Sequence, residues 1–243
     1  MSGHSKWNNI KHKKEKTDAQ RAKVFTKIGR EISMAVKAGG GDPAVNGKLR
    51  DLIAKAKQNN VPNDNIERLI KKAASVGGED YEVIFYEGYG PCGVAMIVET
   101  LTDNRNRTAG DLRHYFDKNG GNLGATGSVS WMFTDRGIIV IEKAGLDADT
   151  VMMDALDSGA ADFNEEDEVF EIVTEPADVG AVREALEAKG YTLLSSEVEK
   201  IPSTYSRVEG EDNLKLMRRL IDMLDDNDDV QNVWHNWENE DDE

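Results

Sequence analysis

The chain has 243 residues, 39% hydrophobic and 31% charged, a composition that suits folded domains rather than disordered chain. At roughly 100–200 residues per domain, two or three domains are expected. No apolar run approaches the ~20 residues that cross a bilayer, the opening MSGHSKWNNIKHKK holds no secretory h-region, and Cys92 stands alone. A membrane partner, an intrachain disulfide and a multi-cysteine metal site are excluded, and a reducing, cytoplasmic setting is expected.

The net charge of −16 hides a division along the chain. Residues 1–75 hold 17 Lys/Arg against 7 Asp/Glu, whereas residues 76–243 hold 13 against 39. The balances are therefore +10 and −26. A chain that separates its charge in this way is expected to separate its partners too.

In chain order, the first segment is a basic arm. Lys6, Lys11, Lys13, Lys14 and Lys16, with His4 and His12, face one acid, Glu15, and only Trp7 and Ile10 are large and apolar. Such a segment buries too little surface to fold alone and orders on binding. Trp7 is read as pinning the arm to the helices that follow. Thr17 with Gln20 makes a capping-box pattern, and Phe25, Ile28, Ile32 and Val36 recur at helical spacing until Gly39-Gly40-Gly41. Asp42 as N-cap with Pro43 behind it predicts a second helix with the stripe Leu49, Leu52, Ile53 and Ala56. A third starts near Asn63 or Asp64, carries Ile66, Leu69, Ile70 and Ala73, and stops at Gly77-Gly78. These three make a small bundle over residues 1–78. The polar face of its first helix shows Arg21, Lys23, Lys27 and Arg30 beside the arm, a continuous electrostatic footprint for phosphate. No groove-reading helix is evident, so backbone contact with little base readout is expected.

From residue 81 the period changes to that of strands, at 81–87 and 94–100. The turn between them, Gly88 to Gly93, matches G-x-G-x-x-G, but a dinucleotide site must open a helix and this turn opens a strand. A helix at 104–118, with Asp103 as its possible N-cap, precedes short strands near 121–124 and 128–133. Residues 137–200 then spell strand, helix, two strands, helix, strand, the ferredoxin-like order. A helix at 211–225 and a strand at 230–236 close the chain. The fold class is therefore α+β: an N-terminal three-helix bundle, then two ferredoxin-like α/β domains, with 136–204 inserted into a discontinuous domain of 79–135 plus 205–243.

Nothing asks for catalysis or a cofactor. The four His are scattered, and the acidic run at residues 225–229 lacks the glycine and distal glutamate of an EF-hand, so it reads as a solvated helix end. Arg105 and Arg107, in Asn104-Arg105-Asn106-Arg107-Thr108 at a strand-to-helix junction, are a candidate second phosphate contact, the competing reading being ion pairs to acidic neighbours.

Several blocks carry a family resemblance: GHSKW at 3–7, FTKI at 25–28, GGGDP at 39–43, YEGYGP at 86–91, TDNRNRT at 102–108, GGNLG at 120–124, GSV at 127–129, IPST at 201–204 and LKLMRRLIDMLDDNDDVQNVWHN. Together they make the chain similar to the YebC/PmpR family over nearly its whole length. The resemblance implies a helical first domain and two α/β domains, the third inserted in the second. It also implies control of gene expression through nucleic acid: DNA binding and transcriptional regulation, or, as in mitochondrial relatives and in relief of ribosome stalling, action on translation. DNA or RNA, with the transcription machinery or the ribosome, are thus the expected partners. A small-effector-sensing module is the rival class, because ferredoxin-like domains often host small ligands.

Overall fold

A computed structural model describes residues 18–75 and 80–240. It is a mixed α+β structure, with N-terminal helices followed by two small antiparallel sheets. Residues 18–133 with 202–240 make one compact unit, and residues 134–201 make another.

The first unit opens with α1 (Asp18–Gly39), α2 (Gly47–Gln58) and α3 (Asn63–Ala74). Their expected stripes meet, with Ile28, Ile32, Val36, Leu49, Leu52, Ala56, Ile66 and Ala73 all buried in one core. The Thr17 cap and the Gly77-Gly78 stop lie outside the described residues. Asp42 and Pro43 do not begin α2. The Asp42 carboxylate accepts from the Ala44 N–H and its carbonyl from those of Val45 and Asn46, closing a turn instead. The N-cap is Asn46, whose side-chain oxygen accepts from Leu49 N at 3.1 Å while its amide donates to the carbonyls of Ala35 and Gly40. Only a side chain with both a donor and an acceptor can serve the end of α1 and the start of α2 together. Gly39 makes room for it, since a Cβ there would stand 2.8 Å from the Asn46 amide nitrogen.

Next come β1 (Glu82–Tyr89) and β2 (Ala95–Thr102), an antiparallel hairpin in which Tyr89 faces Ala95. Gly93, at φ +76°, turns the chain directly into β2, so the glycine pattern belongs to a hairpin. Then follow α4 (Arg105–Lys118) and β3 (Asn122–Leu123), and α7 (Glu211–Asp226) and β8 (Val230–His235) return later in the chain. The sheet order is β3-β1-β2-β8. The strand expected near 128–133 is absent: residues 130–132 form a 3-10 turn, because the Glu87 carboxylate takes the N–H groups of Gly127, Val129 and Ser130. Strand β1 instead stands between β2 and β3, the place that strand would have filled. Helices α4 and α7 cover one face, burying Leu112, Phe116, Met217, Leu220 and Leu224 on Met96, Val98 and Val230.

The second unit runs β4 (Phe133–Glu142), α5 (Ala148–Asp157), β5 (Asp162–Glu165), β6 (Val169–Thr174), α6 (Val179–Ala188) and β7 (Leu193–Pro202), in sheet order β5-β6-β4-β7. Alternation along β4 and β6 sends Ile139, Ile141, Phe170 and Ile172 into one core with Val151, Val182 and Leu186 from the helices. In sequence this unit falls between β3 and α7.

Candidate nucleic-acid interface

Helical periodicity that turns Ile28 and Ile32 inward leaves Lys23, Lys27 and Arg30 on other faces of α1. Those three side chains reach the carboxyl end of α7. Lys23 Nζ lies 2.6 Å from Asp226 Oδ1, and Lys27 Nζ donates to the Asp225 carbonyl at 2.8 Å. Arg30 Nη1 donates to the Asp228 carbonyl at 2.9 Å and to Asp229 Oδ1 at 2.7 Å. The last carbonyls of a helix have no partner within it and form its negative end, so cations are favoured there even before the aspartates add their charge. The acidic run does end a helix, as its composition suggests, but it is not simply solvated: Asp229 is only 3% exposed.

Asp229 is the centre of a small network. Besides Arg30 it accepts from Arg107 Nη2 at 2.7 Å, from Thr108 Oγ1 at 2.8 Å and from Thr102 Oγ1 at 3.3 Å. Burial works to raise its pKa, but the hydrogen bonds from Arg107, Thr108 and Arg30 outweigh it and hold the carboxyl below the usual value. Arg107 also bridges Asp103 at 2.9 Å, and the hydrogen bonds it donates to Asp229 and Asp103 push its own pKa up. Asn104, not Asp103, is the N-cap of α4, its side chain accepting from Arg107 N. Arg105 turns the other way, to Glu82 Oε2 at 2.8 Å, and stays exposed. Arg30, Tyr81, Asp103, Arg107 and Asp111 line an open cleft of about 340 Å³ over this network, with the Arg30 guanidinium 5.4 Å from the centre of the Tyr81 ring. Both arginines of the cleft are held by carboxylates.

This geometry separates two residues that look equivalent in the sequence. Arg107→Ala removes one donor pair from a buried carboxylate, and a loss of about 1–2 kcal/mol is expected, modest because the arginine itself is 44% exposed. Arg105→Ala should leave the melting temperature unchanged. Thermal melts of the two single variants check this, and equal shifts would contradict it.

The other sequence-derived residues are distributed unevenly. Lys6, Lys11, His12, Lys13, Lys14 and Lys16 lie outside the described residues, and Arg21 is exposed near the start of α1. Sequence reading passed over the exposed bases of the next two helices: Lys48, Arg50 and Lys57 on α2, Arg68, Lys71 and Lys72 on α3. They could have been found as the positions left over once the apolar stripes of those helices are assigned. The basic surface of the helical lobe is thus broader than α1, and part of the α1 share is already held by acids of the same unit. Elsewhere His235 is buried, and burial brings its pKa down to about 4, which leaves it a neutral core group.

Known proteins resemble the chain throughout its length. Residues 5–76 match the TACO1/YebC protein N-terminal domain, and residues 81–237 match the TACO1/YebC second and third domain. The chain belongs to the TACO1/YebC family. A relative from Caldicellulosiruptor bescii is 60% identical over 240 residues, which cover 98% of each chain. One from Acetivibrio thermocellus is 60% identical over 239 residues, 98% of this chain and 99% of its own. Both carry the name "Probable transcriptional regulatory protein". The crystal structure of a conserved hypothetical protein from Aquifex aeolicus shares the fold at TM-score 0.82, with 41% identity and 92% of each chain covered.

Proposed function

We propose that this protein regulates gene expression in the cytoplasm by binding nucleic acid through its phosphates, as a DNA-binding transcriptional regulator, and that it acts by binding rather than by catalysis. The observation that carries this reading is the partition of charge. Residues 1–75 hold a balance of +10 in a chain whose total is −16, and α2 and α3 keep Lys48, Lys57, Lys71 and Lys72 exposed. The names of the relatives support a regulatory role. Among the described residues no helix is long and apolar enough to cross a membrane.

A second reading, RNA on the ribosome, is favoured by one observation. The remainder of the chain, at −26, is repelled by a long phosphate surface but complements basic ribosomal protein. Co-sedimentation of the endogenous protein with ribosomes or with the nucleoid at low salt separates the two readings.

The shared core of both is tested by charge reversal in the full chain. Lys57→Glu, Lys71→Glu and Lys72→Glu, combined with Lys11→Glu, Lys13→Glu and Lys14→Glu, should weaken binding to duplex DNA and to RNA by tenfold or more. The melting temperature should change little, because Lys57, Lys71 and Lys72 are exposed and contribute little to a core, and the arm is expected to contribute as little. If about five phosphates are neutralised, the wild-type affinity should fall with salt on a log–log slope near −4 to −5 on duplex DNA. A flat salt dependence, or wild-type affinity in the reversed variant, rules the reading out.

A further inference from the structure

We infer that the outer face of α5, in the second unit, is a docking surface for a cationic amphipathic helix of a partner protein. The inference does not depend on the nucleic-acid reading above and adds a protein partner to it.

Helical spacing divides α5 into two faces. Val151 and Ala155 are buried on the sheet, and the opposite side carries Asp149, Met152, Met153 and Leu156. Met153 is 59% exposed, Leu156 48% and Met152 36%, with Leu146, just before the helix, at 39%. A single exposed apolar residue is ordinary, but the three on the helix stand three and four positions apart and form one stripe. A contiguous stripe of this kind marks a contact surface. Methionine suits such a surface, because its unbranched thioether adapts to the side chains laid on it.

The charge beside the stripe is placed by the same helix. Asp149 lies one turn before Met153 and Asp157 one turn after it, and both are exposed. Asp147 caps the helix beside Leu146, its carboxylate accepting from Thr150 N at 3.0 Å. Asp154 turns to the flank, where it meets Lys189 Nζ at 2.5 Å and the Tyr191 hydroxyl at 2.6 Å. Helix α5 itself has no Lys or Arg. The bases on its neighbouring segments are held by carboxylates, Lys189 by Asp154 and Lys143 by Glu165. Residues 134–201 hold 18 Asp/Glu against 5 Lys/Arg, a balance of −13.

These charges decide the occupant. A nucleic-acid backbone and an anionic bilayer are both repelled, and helices that lie on membranes carry Lys and Arg beside their apolar face. A second copy laid face to face would set Asp149 and Asp157 against their own counterparts. A helix with apolar residues at i, i+3, i+4 and i+7 can instead pack along Met152, Met153 and Leu156 while its Lys and Arg reach Asp149 and Asp157.

The test titrates the full chain with a synthetic helical peptide of about 18 residues, leucines on one face and lysines elsewhere. One control has the same composition with its leucines spread around the helix, and another has Glu in place of every Lys. The amphipathic Lys/Leu peptide should bind roughly tenfold more tightly than either control. Met153→Ser combined with Leu156→Ser should remove that advantage and leave the binding of the spread peptide unchanged. Asp149→Asn combined with Asp157→Asn should weaken the amphipathic peptide roughly threefold at an unchanged melting temperature. In the unsubstituted chain the methyl signals of Met152 and Met153 should shift as the peptide is added, which tests the site even if the serine variant folds poorly. Equal binding of the two Lys/Leu peptides, or methyl signals that stay in place, overturns the inference. Tight binding of the Glu/Leu peptide overturns it too, since the face would then be apolar without choosing cations. A wild-type dimer that the serine variant lacks in sedimentation would show that a second copy covers the face. None of these outcomes bears on the nucleic-acid reading.

Discussion

Replacing Asp229 by alanine should cost about 3 kcal/mol, a drop of roughly 6–12 °C in the melting transition of the unit that holds it. The carboxylate is almost fully buried and accepts from Arg30, Arg107, Thr108 and Thr102, so its removal leaves four donors to find new partners. The two arginines partly reach water, at 19% and 44% exposure, which keeps the cost near the lower end for a broken buried pair. The Thr108 hydroxyl retains the Asn104 carbonyl and the Thr102 hydroxyl as neighbours. The effect reaches beyond one side chain. Arg30 comes from the helical lobe, whereas Asp229 stands just before strand β8 and Arg107 in the first turn of α4, so the variant also loosens the hold of α1 on the sheet that carries the rest of the unit. Protection of α1 amides from hydrogen exchange should fall along with the melting temperature.

The same residue predicts a pH dependence. Because its folded pKa lies below the ordinary carboxylate value, the unfolded chain binds the proton more tightly than the folded one. The stabilisation from its ionised form is therefore fully present above about pH 4, the unfolded value, and is lost as the pH falls toward the lower folded value. Asp229→Asn should show its largest deficit relative to wild type near neutrality, and the two melting curves should converge in acid. A deficit that stays constant from pH 7 to the acid limit would show that shape, not charge, holds Arg30 and Arg107.

The difference between what was legible in the sequence and what was not follows from the range of the interactions involved. The stripes Ile28-Ile32-Val36 and Leu49-Leu52-Ala56 announce their helices because each pattern lies within its own segment. The same holds for the apolar runs of β4 and β6 and for the glycines that end α6 and open β2. The start of α2 was misplaced because Asp42-Pro43 is a good local N-terminus, and what displaces it is the fit of Asn46 against the end of α1. Residues 128–133 alternate as a strand should, and the group that captures their N–H groups is Glu87, some forty positions earlier. Charge shows the limit most clearly. Composition separates a basic lobe from an acidic remainder, but no local pattern reveals that Lys23, Lys27 and Arg30 meet residues 225–229 about two hundred positions away. The exposed bases of α2 and α3 were hidden differently: they are scattered singly, whereas α1 follows directly on the basic arm and draws the eye.

Removing the Glu87 carboxylate is the second substitution expected to have a large effect. Glu87→Ala leaves three backbone N–H groups without their acceptor, one of them, on Val129, fully buried. A buried donor without a partner costs about 1–3 kcal/mol, and those of Gly127 and Ser130 are near enough to the surface to recover water, so a total near 3 kcal/mol is expected. Glu87→Gln should be little better. An amide offers one oxygen where the carboxylate offers two, and turns its own N–H₂ toward groups that are themselves donors. Burial opposes the charge on Glu87, but the N–H groups of Gly127, Val129 and Ser130 more than compensate and lower its pKa. This contribution, like that of Asp229, is therefore present above the unfolded carboxylate value and fades in acid. In Glu87→Ala the Val129 amide should exchange faster. If the Val129 amide keeps its protection, the loop is held by the 3-10 turn and the buried Val129 side chain, and Glu87 is a passenger in it.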